Sequence, residues 1–426
     1  MRILWLTNMA PGQVRRQLGE PSGSGLWLDH VLEDLAGVQD LSLRILCPWK
    51  TEEEGSIRES CSYATFRKGK ATELFPQQEP LFLRQLREFQ PDVIHIWGTE
   101  YGHALIMQRL CRQEGLLDRT VISIQGLCSI YARHFNEGLP VSVRRKYTFH
   151  DFVKQDNLEQ QQRAYEKRGA HEVEALKICR HVIGRTHWDR ACMELINPGA
   201  RYHICNETLR EPFYRDRWTY ENCEKHRIFV SSRVYPVKGF HYMLEALAEL
   251  RETYPDAVLA VPGTDPGAKD LRSRLHQDGY ARYLEELTEK YHLQDAVEYL
   301  GSLDGEQMKE NYLKANVFVL PSTIENSPNS LGEAMLLGVP CAAADVGGVT
   351  TMLEPQKEGL VYQGTAPYML CNAIARIFRM EEGAENMGRA AAEHARRTHD
   401  PEKNIRDLLE IYREMGENRG NTGKDL

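Results

Sequence analysis

The chain has 426 residues, 42% hydrophobic and 27% charged, with 53 basic against 61 acidic side chains and a net charge of −8. That length exceeds one ordinary core and predicts two domains, and the apolar fraction excludes a disordered or fibrous chain. The acidic balance argues against nucleic acid as the partner, and no run of ~18 apolar residues is available to span a membrane.

Met1-Arg2-Ile3-Leu4-Trp5-Leu6-Thr7 has one charge and a short apolar run. A secretory leader needs a longer apolar core, so this segment reads as a first strand. A polar, glycine-containing loop at 11–24 follows, and then a helical pattern at 26–35. Further strand-like runs lie at 41–46, 92–97, 121–124, 181–184 and 202–205. Strands alternating with helices predict a parallel sheet with helices on both faces, giving an α/β domain over 1–205. Within it, Val141-Ser142-Val143-Arg144-Arg145-Lys146-Tyr147 mixes basic and apolar residues ahead of a long charged helix.

The polar stretch 206–225 reads as a linker. The pattern then restarts, with strands at 227–231, 257–261, 297–300, 318–320, 341–344 and an edge strand at 360–362, for a second α/β domain over 226–400. A last helix at 401–415 shows Ile405, Leu408, Leu409, Ile411 and Tyr412 on one stripe, and the glycine- and charge-rich 416–426 reads as a disordered tail. The ten cysteines, Cys47, Cys61, Cys111, Cys128, Cys179, Cys192, Cys205, Cys223, Cys341 and Cys371, stand singly, without Cys-x-x-Cys or zinc spacing. They predict reduced packing residues and a cytoplasmic chain.

The segment richest in chemistry is Glu325-Asn326-Ser327-Pro328-Asn329-Ser330-Leu331-Gly332-Glu333. Two carboxylates flank a Pro-containing turn that follows a strand and opens an apolar helix. An ionised carboxylate accepts hydrogen bonds through two oxygens and suits a vicinal diol. The amides of Asn329, Ser330 and Leu331 offer an anion site at the helix N-terminus. Diols plus phosphate describe a sugar nucleotide. Upstream, Ser231-Ser232-Arg233-Val234-Tyr235-Pro236-Val237-Lys238-Gly239 places two cations in the loop after the second domain's first strand.

The acidic string resembles the Glu-x7-Glu signature of family-four retaining glycosyltransferases, in its Pro-Asn variant. The resemblance continues through Glu333-Ala334-Met335, Gly338-Val339-Pro340 and Asp345-Val346-Gly347-Gly348. It implies the GT-B fold: two doubly wound Rossmann-like domains facing a cleft, with helix 401–415 crossing back to the first. It implies that Arg233 and Lys238 bind the donor diphosphate and stabilise its departure, with Glu325 facing the transferred sugar and Glu333 holding the ribose diol. Gly263 and Ser302 match glycine turns near the nucleotide base. Gly25, in Ser22-Gly23-Ser24-Gly25, matches a loop whose backbone approaches the sugar phosphate.

Many members carry His-Gly where this chain has Gln125-Gly126. Glutamine can bond a hydroxyl but cannot carry a proton at neutral pH. The resemblance implies same-face attack, with the departing phosphate helping to accept the acceptor's proton, and on that reading Gln125 only positions the sugar. His134 reads as a loop histidine. The chain contains no Asp-x-Asp, and neither metal nor cofactor is expected in the transfer.

The function expected is hexosyl transfer from a UDP- or GDP-sugar to a glycan or lipid-linked saccharide, in surface polysaccharide biosynthesis. The resemblance also implies acceptors at the inner membrane face, where 141–147 would touch headgroups. The alternatives are a non-catalytic sugar-nucleotide-binding protein and a GT-B sugar-nucleotide epimerase, which lacks the Glu-x7-Glu string. Intact Arg233, Lys238, Glu325 and Glu333 argue against lost activity. The cations around the acids argue against a glycoside hydrolase.

Overall fold

A computed structural model describes residues 1–20, 27–267 and 275–417. The chain forms two compact units. One comprises Met1–Ile130, Ala164–Thr208 and the chain from His399 on, and the other Tyr131–Arg163 and Leu209–Thr398.

The first unit is built on eight strands: β1 (Arg2–Thr7), β2 (Ser42–Trp49), β3 (Glu54–Arg58), β4 (Cys61–Arg67), β5 (Val93–Trp97), β6 (Thr120–Ser123), β7 (His181–Gly184) and β8 (Arg201–Ile204). Their order is β3-β4-β2-β1-β5-β6-β7-β8, and only the β3–β4 pair is antiparallel. The central strands are apolar end to end because helices cover both faces, as in all-parallel sheets. One face packs Ile3, Trp5 and Leu43 against Leu408, Tyr412 and Met415 of the helix Pro401–Glu417. That helix belongs to the first unit although residues 209–398 precede it. Its Tyr412 hydroxyl accepts from Trp5 Nε1 at 3.0 Å and lies 2.6 Å from His95 Nδ1, whose Nε2 lies 2.6 Å from Ser123 Oγ. Burial holds His95 well below its ordinary pKa, so the ring is neutral.

The second unit has β9 (Arg227–Phe229), β10 (Val258–Val261), β11 (Val297–Tyr299), β12 (Val317–Leu320), β13 (Cys341–Asp345) and β14 (Leu360–Gln363). All are parallel, in the order β11-β10-β9-β12-β13-β14. Its core joins Phe229, Phe318 and Tyr312 to Leu331, Met335 and Leu336 of the helix Asn329–Leu337.

Every strand expected from the sequence is present, with ends shifted by up to three residues. Four features differ. The β3–β4 hairpin was not anticipated, because its strands mix small, polar and charged residues. The loop expected at 11–24 contains a helix, Gly12–Gln17, whose first N–H groups are held by Asp29 at 3.1 and 3.2 Å. Residues 131–163, placed by sequence in the first domain, pack with the second: the Asn326 N–H donates to Tyr131 Oη, and the Thr323 hydroxyl to the His134 carbonyl. The stretch expected as a linker buries Phe213 and Trp218, and Trp218 Nε1 donates to the Ala315 carbonyl at 2.7 Å. Aromatic anchoring makes it part of the second core. Most of the tail expected to be disordered, from 418 on, lies outside the described residues.

Candidate active site

In the second sheet β9 and β12 are neighbours, yet the chain leaves β9 toward β10 and leaves β12 toward β13. Open α/β sheets bind ligands beyond the carboxyl ends of such a pair, where the strand order reverses. The loop after β9 carries Arg233 and Lys238, and the loop after β12 carries Glu325.

Lys238 ends a 3-10 turn, Pro236–Lys238, closed by Gly239 at φ 65°. A Cβ on Gly239 would lie 1.8 Å from the Pro321 carbonyl oxygen, so only glycine allows this contact between the two loops. The Thr323 N–H donates to the Val237 carbonyl at 2.8 Å and fixes the register. The joined loops put Lys238 Nζ 2.6 Å from Glu325 Oε1, which also accepts from Ser322 Oγ at 2.8 Å. Glu325 is buried, whereas Lys238 keeps a third of its side chain in solvent.

The backbone of Glu325 is held as firmly. The Gly348 N–H donates to its carbonyl at 3.0 Å, and a Cβ on Gly347, at φ 52°, would lie 1.9 Å from that oxygen. The glycine pair after β13 thus gains a physical reason: it lets the Glu325 loop close down on the neighbouring strand.

Eight residues on, Glu333 points inward from the helix Asn329–Leu337. Its Oε1 accepts from Arg210 Nη2 at 2.7 Å and Nε at 2.8 Å. Its other oxygen lies 3.4 Å from the Tyr312 hydroxyl. Burial raises the Glu333 carboxyl above its ordinary pKa, and Arg210 opposes that shift. Of the three amides considered at this helix start, that of Leu331 is already bonded to the Pro328 carbonyl at 3.0 Å, and Leu331 is buried. Asn329 and Ser330 are half-buried, and the Ser330 carbonyl accepts from Tyr312 Oη at 2.9 Å.

Arg233 stands apart from the Lys238–Glu325 pair. It donates to the Thr264 carbonyl, lies 5.4 Å from the Tyr299 ring centroid, and lines a pocket with Gly263, Asp265 and Tyr280. Gly263, at φ 108°, bonds reciprocally with Gly301 at 2.7 and 3.1 Å, which sets the exposed Ser302 one residue on. In the first unit, Gln125 Nε2 donates to Glu207 Oε1 at 2.7 Å, and Arg185 bridges the two through Glu207 at 2.5 Å and the Gln125 carbonyl at 3.3 Å. His134 pairs with Glu137 at 2.7 Å. Gly25 lies outside the described residues.

The structure therefore unites Lys238 with Glu325, and Arg233 with Gly263, and gives Glu333 a partner that sequence reasoning missed. Arg210 sits in a polar stretch with nothing to distinguish it. Ser322 and Tyr312 were missed as well, since only packing shows that their hydroxyls reach the two acids.

Residues 216–394 match the family model of glycosyl transferases group 1. A D-inositol 3-phosphate glycosyltransferase of Corynebacterium urealyticum is 29% identical over 185 residues, 43% of this chain and 42% of that protein. A GDP-mannose-dependent alpha-(1-6)-phosphatidylinositol monomannoside mannosyltransferase of Mycobacterium tuberculosis is 27% identical over 184 residues, 42% of this chain and 44% of that protein. The matched region thus spans less than half the length of these curated relatives. Among solved structures, sucrose-phosphate synthase from Thermosynechococcus elongatus superposes with a TM-score of 0.70 at 17% identity, covering 97% of this chain and 99% of that one. HepE of Anabaena in complex with UDP gives 0.65 at 15% identity, covering 97% and 100%. These likenesses show the GT-B fold.

Proposed function

Because residues 216–394 belong to the glycosyl transferases group 1 family, we propose that this chain is a retaining glycosyltransferase that moves a hexose from a UDP- or GDP-sugar to a glycan or lipid-linked saccharide. The observation that carries the reading is the Lys238–Glu325 contact at the strand-order switch of the second unit. A lysine with a third of its side chain in solvent, held by a buried carboxylate at that place, is a cation suited to an anionic ligand.

In the proposed reaction the bond from the sugar's anomeric carbon to the diphosphate breaks, and its electron pair leaves with the phosphate. Lys238 and Arg233 stabilise that charge, helped by the amides of Asn329 and Ser330. The acceptor oxygen attacks from the face the phosphate vacates, so configuration is retained, and the acceptor's proton passes to a phosphate oxygen. Glu325 orients Lys238 and faces the transferred sugar. Glu333 takes the ribose diol, sharing its carboxylate with Arg210. Gly263 and Ser302 border the base, and Gln125 is assigned to sugar hydroxyls and Gly25 to the sugar phosphate on their motifs alone. The fixed cations remove the need for a metal on the phosphates.

The relatives' names support a lipid-linked or polyol phosphate acceptor, which accords with surface polysaccharide or glycolipid synthesis. No helix among the described residues is long and apolar enough to cross a membrane. Peripheral docking of a cytoplasmic chain is supported by Tyr147, Phe149, Phe152 and Val153, all exposed beside Arg144 and Lys154. Two further cations there are already paired, Arg145 with Glu159 and Lys146 with Glu286.

The deciding experiment is a melting panel of UDP-, GDP- and ADP-sugars, followed by product analysis by NMR with the donor that binds. Donor binding raises the melting temperature by mass action. A product of inverted anomeric configuration, or no nucleotide-sugar that shifts melting, would remove the reading. A lone binding function predicts the shift without turnover.

A further inference from the structure

Away from the switch point, the second unit contains a corner that the transfer reaction does not use. The helix Phe149–Lys154 is capped by Thr148, whose hydroxyl accepts from the Asp151 N–H at 3.1 Å while Asp151 Oδ2 accepts from the Thr148 N–H at 3.0 Å. That reciprocal cap pins one carboxylate oxygen. The other, Oδ1, has no hydrogen-bond partner, although Asp151 is wholly buried. Gln155 then takes a left-handed conformation, φ 56°, and the Asp156 N–H returns to the Asp151 carbonyl at 3.3 Å. The turn folds Asp156 back over Asp151.

Asp156 Oδ1 and His150 Nδ1 are likewise shielded from solvent and unpartnered. One donor atom from each of His150, Asp151 and Asp156 lies within 4.8 Å of the other two. His150 Nδ1 lies 3.6 Å from Asp151 Oδ1, too long for a hydrogen bond. Two buried carboxylate oxygens without donors, beside an unpartnered imidazole nitrogen, are costly unless something satisfies them. Asp278, the cap of the helix Gly279–Lys290, adds negative charge nearby, and Gly279 approaches Asp151 Oδ2 so closely that a Cβ there would lie 3.0 Å away. The charges of His150 and Lys154 act on Asp156 in the opposite sense.

We propose that His150, Asp151 and Asp156 form a structural site for a divalent first-row cation such as Zn2+ or Mn2+, which clamps the turn between the helix Phe149–Lys154 and the helix that follows it. The donor set suits that class: one neutral imidazole nitrogen and two carboxylate oxygens match its preference and neutralise its charge. Bonds of ~2.1 Å bring donors to roughly 3.5 Å from one another in a tetrahedral site, so the cluster contracts on loading. Asp151 is fixed by its cap, and the half-buried His150 and Asp156 have the freedom to close on it. A water or a group outside this chain completes the shell. The clamp would hold in place the turn that exposes Phe149, Phe152 and Val153.

The test uses the full chain, stripped by chelator and titrated with ZnCl2 or MnCl2 alone, with calorimetry and elemental analysis as readouts. The comparison is the double variant His150→Ala, Asp156→Asn, which leaves the Thr148–Asp151 cap intact. Native protein should take up about one equivalent more metal than the variant. It should gain several degrees of melting temperature on loading and resist chymotrypsin at Phe149 and Phe152. Equal uptake and equal melting shifts in the two proteins, or no uptake by either, overturn the site. None of these readouts depends on glycosyl transfer.

Discussion

Arg210 grips Glu333 through two nitrogens, at 2.7 and 2.8 Å, from a segment that reads in sequence as a linker. The pair ties 206–225 to the helix that begins at the strand-order switch. It also means that a diol reaching Glu333 meets a carboxylate with one oxygen already committed.

Breaking that pair from the basic side should leave a buried carboxylate uncompensated. Arg210→Ala is expected to destabilise the protein by roughly 2 kcal/mol, below the ~3–5 of fully buried pairs because Arg210 keeps 27% of its side chain exposed. Urea unfolding measures it. Glu333→Gln should cost less stability and mainly weaken nucleotide affinity. Equal loss of affinity in Glu325→Gln would contradict the roles assigned to the two acids.

Lys238→Ala should lower kcat/KM about a hundredfold, ~3 kcal/mol of transition-state stabilisation, with the donor identified by the melting panel. Glu325→Gln should lower turnover while leaving affinity for the free nucleoside diphosphate nearly unchanged. Full turnover by Lys238→Ala would assign the diphosphate elsewhere.

Chelator should leave the initial rate intact when assayed well below the melting midpoint, if Arg233 and Lys238 serve the phosphates as proposed. A rate abolished by chelator and restored by magnesium in the His150→Ala, Asp156→Asn background would place a metal in the reaction itself.

Burial pushes the Glu100 carboxyl up to about 7, from an ordinary 4.5, against the opposing Arg168 charge and Asn8 amide. Because the folded value is the higher one, this group favours folding below the ordinary value. The benefit is lost as pH rises toward 7, where the unfolded chain has released its proton first. Glu100→Gln should therefore raise stability on the order of 1–2 kcal/mol above pH 7 and change little near pH 4, a smaller effect than the full shift implies because Glu100 is only half-buried. Melting curves across that range decide it.

The Tyr412 hydroxyl serves Trp5 and His95 at once, so Tyr412→Phe removes two buried bonds without changing shape. A loss of about 2 kcal/mol is expected from chemical denaturation. Deleting the chain from Pro401 should cost far more than deleting only the residues after Glu417, because Leu408, Leu409 and Met415 belong to the first unit's core.

The strands were legible because parallel strands buried on both faces are short continuous apolar runs, as at Val93–Trp97 and Val317–Leu320. The Glu325 and Lys238 loops were legible because unusual residues cluster there: a proline, paired glycines and acids at a fixed interval. Arg210 was not, since one arginine in a polar stretch has no pattern, and its meaning depends on a helix more than a hundred residues later. The His150–Asp151–Asp156 corner escaped for a related reason. Its spacing resembles no metal signature, and only the left-handed Gln155 folds its donors together. The placement of 131–163 was hidden too, because periodicity reports which face is apolar and not which neighbour covers it.

The helix Pro401–Glu417 also sets a timetable. A ribosome delivers all eight strands of the first sheet before it delivers the helix that covers Ile3, Trp5 and Leu43. Residues 209–398 come in between, and at ~5–20 residues per second they occupy on the order of ten to forty seconds. Through that interval the part of the face that Leu408, Tyr412 and Met415 come to cover stays open, and the Trp5 indole lacks its partner. The second unit, contiguous apart from residues 131–163, can close first. Chaperone demand in synthesis should accordingly fall on the half of the protein that is made earliest.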